Sequence, residues 1–307
     1  MPDTRDQNQL HVTADDYPAL FQAADRAALF IQKRHLYLTG SVLALLVGGA
    51  TAGAVSSAFP AAKAKTALAF VSTACVALSF LLTAIRQALK PEKLWYGGRA
   101  VAESVKSMAW RYMTGAEPYS IAAPASEIDN RFVSDLKALI KDDRLAVGFG
   151  SDFSDKPQIS ARMREVRGAT LDRRKAVYIS DRLADQRKWY GAKARKSQRA
   201  ESWYFVLILV SQALALASTV FLISQPGSAW NLTGVFSAVA SALVAWLQVR
   251  QHEELAQSYA AAALELGFIE EEAARVSDEK AFSAFVAEAE NAISREHTMW
   301  VARRNRG

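Results

Sequence analysis

The stretch from Ser202 to Val249 reads SWYFVLILVSQALALASTVFLISQPGSAWNLTGVFSAVASALVAWLQV and holds no charged residue in 48 positions. One helical crossing of a bilayer needs about 20 apolar residues at about 1.5 Å each, so the stretch is long enough to cross twice. The turn-forming residues Gln225-Pro226-Gly227-Ser228 stand near its middle, where such a chain must reverse. We therefore predict membrane spans at about 202–224 and 229–249.

A second uncharged region lies towards the other end of the chain. Residues 36–62 and 66–85 carry no charge, and Lys63-Ala64-Lys65 separates them, which predicts spans at about 36–59 and 66–86. The predicted fold class is an all-α membrane protein, with four transmembrane helices arranged as two helical hairpins and with long amphipathic cytosolic helices. Buried core helices of a large soluble protein are the alternative, but such helices usually show a polar stripe.

Basic residues near the span ends predict the orientation of the chain. The two hairpin tips carry only Lys63 and Lys65, whereas the opposite ends of the spans carry fourteen basic residues: Arg26, Lys33, Arg34, Arg86, Lys90, Lys93, Arg99, Arg187, Lys188, Lys193, Arg195, Lys196, Arg199 and Arg250. The positive-inside rule then places both termini in the cytoplasm. Aromatic residues expected near the inner boundary are Tyr37, Trp203, Tyr204 and Trp246.

The flanking segments suggest one structural unit used twice. Each copy has an amphipathic lead-in helix, a two-span hairpin and a helix that leaves the membrane, and the predicted units cover residues 1–120 and 161–307. Residues 121–160 are predicted to hold one further helix and a linker. The glycine-containing segment from Gly148 to Pro157 is the best candidate for the boundary.

The two segments that flank the second hairpin carry opposite charge. Residues 162–199 hold thirteen basic and four acidic side chains, and residues 253–296 hold eleven acidic and three basic ones. We expect their helices to pack side by side as a cytosolic stalk. The alternatives are two solvated helices without mutual contact, or attraction of the basic segment to anionic lipid headgroups.

No catalytic or metal-binding signature is present. The four histidines have no i, i+4 pair, and Cys75, the one cysteine, lies inside a predicted span. The glycines at Gly97-Gly98 and Gly148-Phe149-Gly150 are not followed by the lysine and hydroxyl residue of a phosphate-binding loop. The sequence therefore predicts that the protein is not an enzyme and that it uses no metal and no cofactor.

The predicted spans contain weakly polar residues in place of charges, which argues against a proton relay or an ion-coupled transporter. These residues line a pore or join neighbouring helices, and the candidates are Ser211, Gln212, Ser218, Thr219, Ser237, Ser241, Gly49 and Gly53. Gln212 is the most informative, because an amide in hydrocarbon is costly unless it faces another helix or water. In a homo-oligomer, a ring of Gln212 would form a hydrated lining.

Two runs of aromatic and charged residues at helical spacing carry a family resemblance. Their main positions are Trp95, Arg99, Glu103, Lys106 and Trp110 in the first run, and Tyr178, Arg182, Gln186, Trp189 and Tyr190 in the second. The first run resembles the segment after the hairpin in one subtype of SLATT domain, and the second resembles the segment before the hairpin in another subtype. SLATT domains are two-transmembrane effector domains found with nucleotide-based bacterial conflict systems.

The resemblance implies a membrane effector of a bacterial anti-phage or conflict system. Such a protein would sit in the inner membrane, oligomerise, and form a pore or disrupt the membrane when its cytosolic helices are triggered. The implied partners are the lipid bilayer, further copies of the chain, and a sensor protein or nucleotide signal supplied by another chain, since no fused sensor domain is recognised. No nucleic acid is expected as a partner. The alternative is a non-conducting membrane scaffold that recruits cytosolic partners.

Overall fold

A computed structural model of the chain describes residues 10–142 and 155–304, and in residues 141–142 and 295–304 it describes the backbone alone. All regular secondary structure within these ranges is helical. The α-helices are α1 (Ala19–Ala58), α2 (Ala62–Leu89), α3 (Pro91–Thr114), α4 (Ala125–Asp142), α5 (Ala161–Arg167), α6 (Leu171–Val177), α7 (Asp185–Ser224), α8 (Thr233–Arg250), α9 (His252–Glu272) and α10 (Glu279–Arg304). A π-helical segment, Tyr178–Ala184, joins α6 to α7 without a break.

Four helices are long and apolar enough to cross a membrane, which confirms an all-helical fold with four candidate membrane spans, while their arrangement as two hairpins stays a prediction. They are α1, α2, the continuous helix Leu171–Ser224, and the helical stretch Thr233–Arg275, which Gln251 interrupts with a left-handed backbone conformation (φ 48°). The last predicted span begins at Thr233 and not at 229, because the side chain of Asn231 accepts a hydrogen bond from the Thr233 backbone N–H at 3.3 Å and forms a local turn there.

Contacts between residues divide the chain into two compact units. The first unit comprises residues 1–31, 92–192 and 258–307, and the second comprises residues 32–91 and 193–257. The four uncharged stretches therefore fall in the second unit and the amphipathic helices in the first. The domain boundaries at 120 and 160, which follow chain order, stay a prediction. Of the predicted loop from Gly148 to Pro157, residues 148–154 lie outside the described residues.

In the second unit, α1 contacts α2 through small and hydroxyl residues. Ser72 donates a hydrogen bond from Oγ to the Gly49 carbonyl at 2.8 Å, and Arg86 donates from Nη1 to Thr39 Oγ1 at 3.3 Å. Residue numbers rise along one helix as they fall along the other, so the two helices run antiparallel at these contacts. A side chain at Gly49 would press against Cys75, Val76 and the Ser72 backbone, since its Cβ would lie 3.4 Å from each.

The helices α7 and α8 contact each other in the same antiparallel sense. Trp246 donates from Nε1 to the Tyr204 hydroxyl at 2.9 Å, and Thr233 donates from Oγ1 to Ser218 Oγ at 3.3 Å. Within residues 202–224 of α7, the buried and half-buried positions recur at alternating spacings of four and three, at 204, 208, 211, 215, 218 and 222. This single packing stripe leaves large apolar side chains such as Leu216 and Ile223 exposed, as lipid contact requires.

The first unit has an aromatic core. Trp110, Tyr112, Tyr178, Phe132 and Phe282 are fully buried within it. Apolar residues at helical spacing supply much of this core, including Val101 and Val105 on α3, Leu183 and Tyr190 in the second run, and Ala262 and Leu266 on α9. The further helix predicted within residues 121–160 is α4, which carries Phe132 and Leu136.

Candidate functional site: a buried ion pair among the motif residues

The two motif runs meet in the first unit. The first run lies on α3, while Tyr178 and Arg182 lie in the π-helical segment and the rest of the second run begins α7. The rings of Trp110 and Tyr178 pack edge to face, with centroids 5.6 Å apart and an interplanar angle of 73°. Residues that are far apart along the chain therefore form one continuous site.

The centre of this site is an ion pair between Arg182 and Glu290. Arg182 donates from Nε to Glu290 Oε1 at 2.8 Å and from Nη2 to Glu290 Oε2 at 2.7 Å, and the two side chains are only 1% and 0% exposed. Tyr178 donates from its hydroxyl to Glu290 Oε1 at 3.0 Å. Such a forked pair has a fixed geometry, and removal of one partner leaves the other charge buried and uncompensated.

The protonation states of the two donors, Arg182 and Tyr178, are set by burial and by the charge of Glu290. Burial lowers the pKa of Arg182, but the carboxylate of Glu290 outweighs that effect and holds the pKa above its ordinary value. Burial and the Glu290 charge raise the pKa of Tyr178. Arg182 is therefore charged and Tyr178 neutral at any physiological pH, and both act as donors to the carboxylate.

A rare backbone conformation presents the two donors. Tyr178 and Arg182 lie in the seven-residue π-helical segment Tyr178–Ala184. π-Helical turns are rare in proteins, and those that occur are often found at functional sites. Arg182 Nη1 is buried and makes no hydrogen bond to any residue in the described part of the chain. The Glu290 carboxylate thus accepts three hydrogen bonds, while Arg182 Nη1 remains a buried donor without a partner among the described residues.

Lys106 lies beside this pair. Its Nζ is 5.6 Å from the centroid of the Tyr17 ring, and Tyr17 accepts a hydrogen bond at its hydroxyl from Trp110 Nε1 at 2.9 Å. Burial, together with repulsion from Arg182, lowers the pKa of Lys106 to about 8. Burial also raises the pKa of Tyr17, so its hydroxyl stays neutral.

The lowered pKa of Lys106 predicts a dependence of stability on pH. The folded protein loses this proton near pH 8 and the unfolded chain keeps it up to about 10.5, so stability rises with pH across that window. We expect Lys106→Met to remove this rise and to stabilise the protein at pH 7 by about 1–3 kcal/mol. Thermal unfolding followed by tryptophan fluorescence from pH 7 to 10 measures both effects.

The exposed Lys137 provides a control for this prediction. Lys137→Met removes the same charge from α4 and is expected to leave the pH profile unchanged. An equal slope in wild type and Lys106→Met would show that Lys106 does not titrate in this window.

A further charged group, Arg99, joins α3 to the start of α1. Arg99 donates from Nη1 to Asp25 Oδ1 at 2.7 Å and forms an i, i+4 ion pair with Glu103. Glu103 is itself buried, although helical spacing places it on the charged face of α3. Arg99 and Glu103 of the first run therefore form ion pairs inside the first unit.

Ion pairs confirm the predicted contact between the basic and acidic segments. Besides Arg182–Glu290, Arg174 pairs with Glu279, and Arg187 Nη1 lies 3.2 Å from Glu270 Oε2. Arg174 is buried, and it also donates from Nη1 to the Thr114 carbonyl at 2.7 Å. The helices of these segments thus contact each other and are not separate solvated helices.

The remaining motif residues pack against aromatic neighbours. Trp189 meets Tyr259 edge to face at 5.5 Å, and Tyr190 stacks on Tyr259 at 5.7 Å. Gln186 is buried, and Trp95 stacks on the neighbouring Tyr96 at 4.5 Å. These residues build the interior of the first unit.

Sequence reasoning missed Glu290, Tyr17 and Asp25. Glu290 could have been found, because it follows Phe282, Phe285, Val286 and Ala289 on the apolar stripe of α10, and a lone carboxylate on such a stripe needs a partner. Tyr17 and Asp25 carried no comparable signal.

Five of the eight residues predicted to line a pore or join helices pack within the second unit. Ser211 is buried and donates to the Leu207 carbonyl at 2.8 Å, Gly49 and Gly53 lie against Ser72, and Ser218 and Thr219 lie within 3.3 Å of the Thr233 hydroxyl. Gly49, Gly53, Ser218 and Thr219 therefore contact another helix of the same chain, whereas the hydrogen bond of Ser211 lies within its own helix.

The other candidates are exposed on the second unit. Gln212, Ser237 and Ser241 face outwards, and Gln212 makes no side-chain hydrogen bond to any described residue. The roles of all eight as pore-lining residues stay a prediction.

No group of three potential metal ligands occurs among the residues whose side chains are described. His11 Nδ1 lies 2.8 Å from Asp181 Oδ2, and His252 stacks on Tyr204 at 5.9 Å.

These features define a class of protein: a helical multi-pass membrane protein whose flanking helices pack around a buried ion pair. The model of SMODS and SLOG-associating 2TM effector domain 3 matches residues 18–175, and that of SMODS and SLOG-associating 2TM effector domain 1 matches residues 178–300. The chain therefore belongs to this family of two-transmembrane effectors associated with conflict systems, with two domains in tandem, and the resemblance is confirmed. Searches of curated proteins and of solved structures found no match.

Proposed function

We propose that this protein is a membrane effector of a bacterial anti-phage or conflict system. In this proposal, copies of the chain assemble and form a pore or disrupt the inner membrane when their cytosolic helices are triggered. The observation that carries the proposal is the tandem match to effector domains over nearly the whole chain, combined with four helices able to span a membrane.

The proposed topology is two helical hairpins with both termini in the cytoplasm. The antiparallel contacts Thr39–Arg86 and Tyr204–Trp246 support a hairpin for each pair of apolar helices. The distribution of basic residues around the spans supports the orientation. In this topology the buried Arg182–Glu290 pair lies on the side where a cytosolic trigger would arrive.

Self-association is supported by a surface row on α8. The exposed positions there include Gly234, Ser237, Ser241 and Val244, at spacings of three and four. Small and weakly polar side chains at this spacing allow helices to approach closely in a membrane. Together with the exposed amide of Gln212, this row favours a second copy of the chain as the neighbour.

The trigger is proposed to reach the protein through a separate sensor protein or a nucleotide signal, with no enzymatic step in this chain. The charged motif residues Arg182 and Arg99, and Glu290 as the partner of Arg182, are used internally, so they would transmit a change of packing and would not bind a substrate. A signal that separates the segments joined by Arg182–Glu290 would alter the helices that lead into the membrane.

Purified protein in liposomes tests the proposal directly. A potential-sensitive dye should report dissipation of an imposed potassium gradient at high protein density, which favours assembly by mass action. Empty liposomes that received detergent alone are the control. Intact gradients at every protein density, with the protein inserted and folded, would argue against a pore.

The alternative is a non-conducting scaffold that recruits cytosolic partners. The packing of Ser211, Gly49 and Ser218 inside the second unit favours this alternative, because those residues already have neighbours within one chain. The two functions differ in their dependence on Gln212, which faces outwards.

A further inference from the structure

A cavity of about 320 Å³ opens in the second unit between α1, α2 and α8. Its lining consists of Thr39, Val42, Leu43, Arg86, Ala245, Gln248 and Val249. Most of the wall is apolar, and Arg86 brings the one charge to it. No aspartate or glutamate occurs in this lining.

Most N–H donors of the Arg86 guanidinium form no hydrogen bond to the described residues. An arginine carries five N–H donors, and Arg86 uses one of them, from Nη1 to the Thr39 hydroxyl at 3.3 Å. No carboxylate pairs with it in the described part of the chain. Arg99, Arg174, Arg182 and Arg187, in contrast, each have an acidic partner. The half-buried charge at the cavity therefore has no counter-ion among the described residues.

The cavity lies at the depth of the aromatic residues expected at the membrane boundary. Trp246 is one helical turn before Val249 on α8, its Nε1 bonds the Tyr204 hydroxyl, and its ring lies against Gly40, next to Thr39. Interfacial tryptophan and tyrosine mark the level of lipid headgroups. Residues that line the cavity at this level meet headgroup and upper acyl chain together.

We propose that this cavity binds one anionic phospholipid, with the phosphate held by Arg86 and the upper acyl chain against Val42, Leu43 and Val249. Gln248 supplies a further polar contact for the headgroup, while the buried Thr39 hydroxyl donates to the His35 carbonyl at 3.0 Å and orients Arg86. An anionic lipid fits better than a zwitterionic one, because the ammonium group of a zwitterionic headgroup would find no carboxylate in the lining. Basic pockets between transmembrane helices bind acidic headgroups by the same chemistry. This inference does not depend on pore formation.

Native mass spectrometry of the full chain in mild detergent tests the proposal, with phosphatidylglycerol or phosphatidylcholine added. We expect wild type to retain one phosphatidylglycerol per chain and to bind phosphatidylcholine more weakly. Arg86→Gln should weaken binding of phosphatidylglycerol by about tenfold or more, because charge-assisted hydrogen bonds to the phosphate are lost. Thermal unfolding without added lipid checks that each variant is folded.

Two further variants separate a site from general attraction. Arg250→Gln removes an equal charge from the end of α8, where the guanidinium lies 6.0 Å from the Trp246 ring and outside the cavity lining, and it should keep the retained lipid. Ala245→Phe fills the cavity without changing charge and should lose the lipid. Equal losses in Arg86→Gln and Arg250→Gln, or full retention in Ala245→Phe, would overturn the proposal.

Inorganic phosphate distinguishes the source of the anion. Phosphate alone should neither displace phosphatidylglycerol nor raise the unfolding temperature, because it cannot use the apolar wall. Displacement of the lipid by millimolar phosphate would overturn the lipid assignment and point to a small soluble phosphate.

Discussion

Substitution of Arg182 by methionine is expected to destabilise the protein by about 3–5 kcal/mol, since Glu290 would be left buried and charged without its partner. Tyr178 cannot compensate, because it donates a single neutral hydrogen bond to the carboxylate. The measurement is the unfolding temperature of the purified protein, followed by tryptophan fluorescence. Trp110, which packs on Tyr178, lies close to the substitution.

Removal of both charges should be far less harmful than removal of one. The double variant Arg182→Met with Glu290→Leu replaces a buried ion pair by apolar side chains of similar size, a change that is often neutral or stabilising. The matched control is Arg162→Met, which breaks the exposed Arg162–Glu165 pair and should cost less than about 1 kcal/mol. A single variant as stable as wild type, or a double variant less stable than the single one, would contradict the role given to this pair.

The same double variant separates structure from signalling. If the ion pair serves only to hold the helices of the first unit together, a stable double variant keeps its effect on the membrane. If a trigger acts by separating Arg182 from Glu290, the double variant is stable but no longer responds.

The second large effect is a loss of ion flux, which we expect on substitution of Gln212. Gln212→Leu should reduce ion flux through reconstituted membranes by roughly tenfold or more, because the loss of a polar group worth about 1–3 kcal/mol raises the barrier in a hydrated lining. Stability of the isolated chain should hardly change, since the Gln212 side chain makes no hydrogen bond to the described residues.

Thr73→Val is a matched control for this change. Thr73 is an exposed hydroxyl on α2 that bonds the Ala69 carbonyl of its own helix at 2.9 Å. Its loss should leave flux unchanged. Equal flux in wild type and Gln212→Leu would favour the scaffold over the pore.

The four apolar helices could be predicted because their signal is local. Absence of charge over some 20 successive residues is a property of each segment, whatever the rest of the chain does. The charge balance of residues 162–199 and 253–296 likewise predicts that these segments attract each other. Both features depend on composition, and composition is fully visible in a sequence.

The identity of the paired residues could not be predicted in the same way. Residues 253–296 contain eleven acidic side chains that could pair with Arg182. Glu290 is the partner because of the way α10 packs against the π-helical segment. Burial of that pair is a tertiary property, because it requires aromatic residues from α3 and α10 to close around it. In the proposed assembly the surroundings of Gln212 would depend on a second copy of the chain, which cannot be deduced from the sequence of one copy.

The most direct test of the central claim, that this protein acts by breaching the membrane, is a recording of membrane potential during phage infection. Cells should carry the gene together with its genomic neighbours, so that any separate sensor is present, and cells with Gln212→Leu serve as the comparison. We predict that the potential collapses in wild-type cells before lysis and persists in the Gln212→Leu cells. Protection from phage with an unchanged membrane potential would contradict the claim.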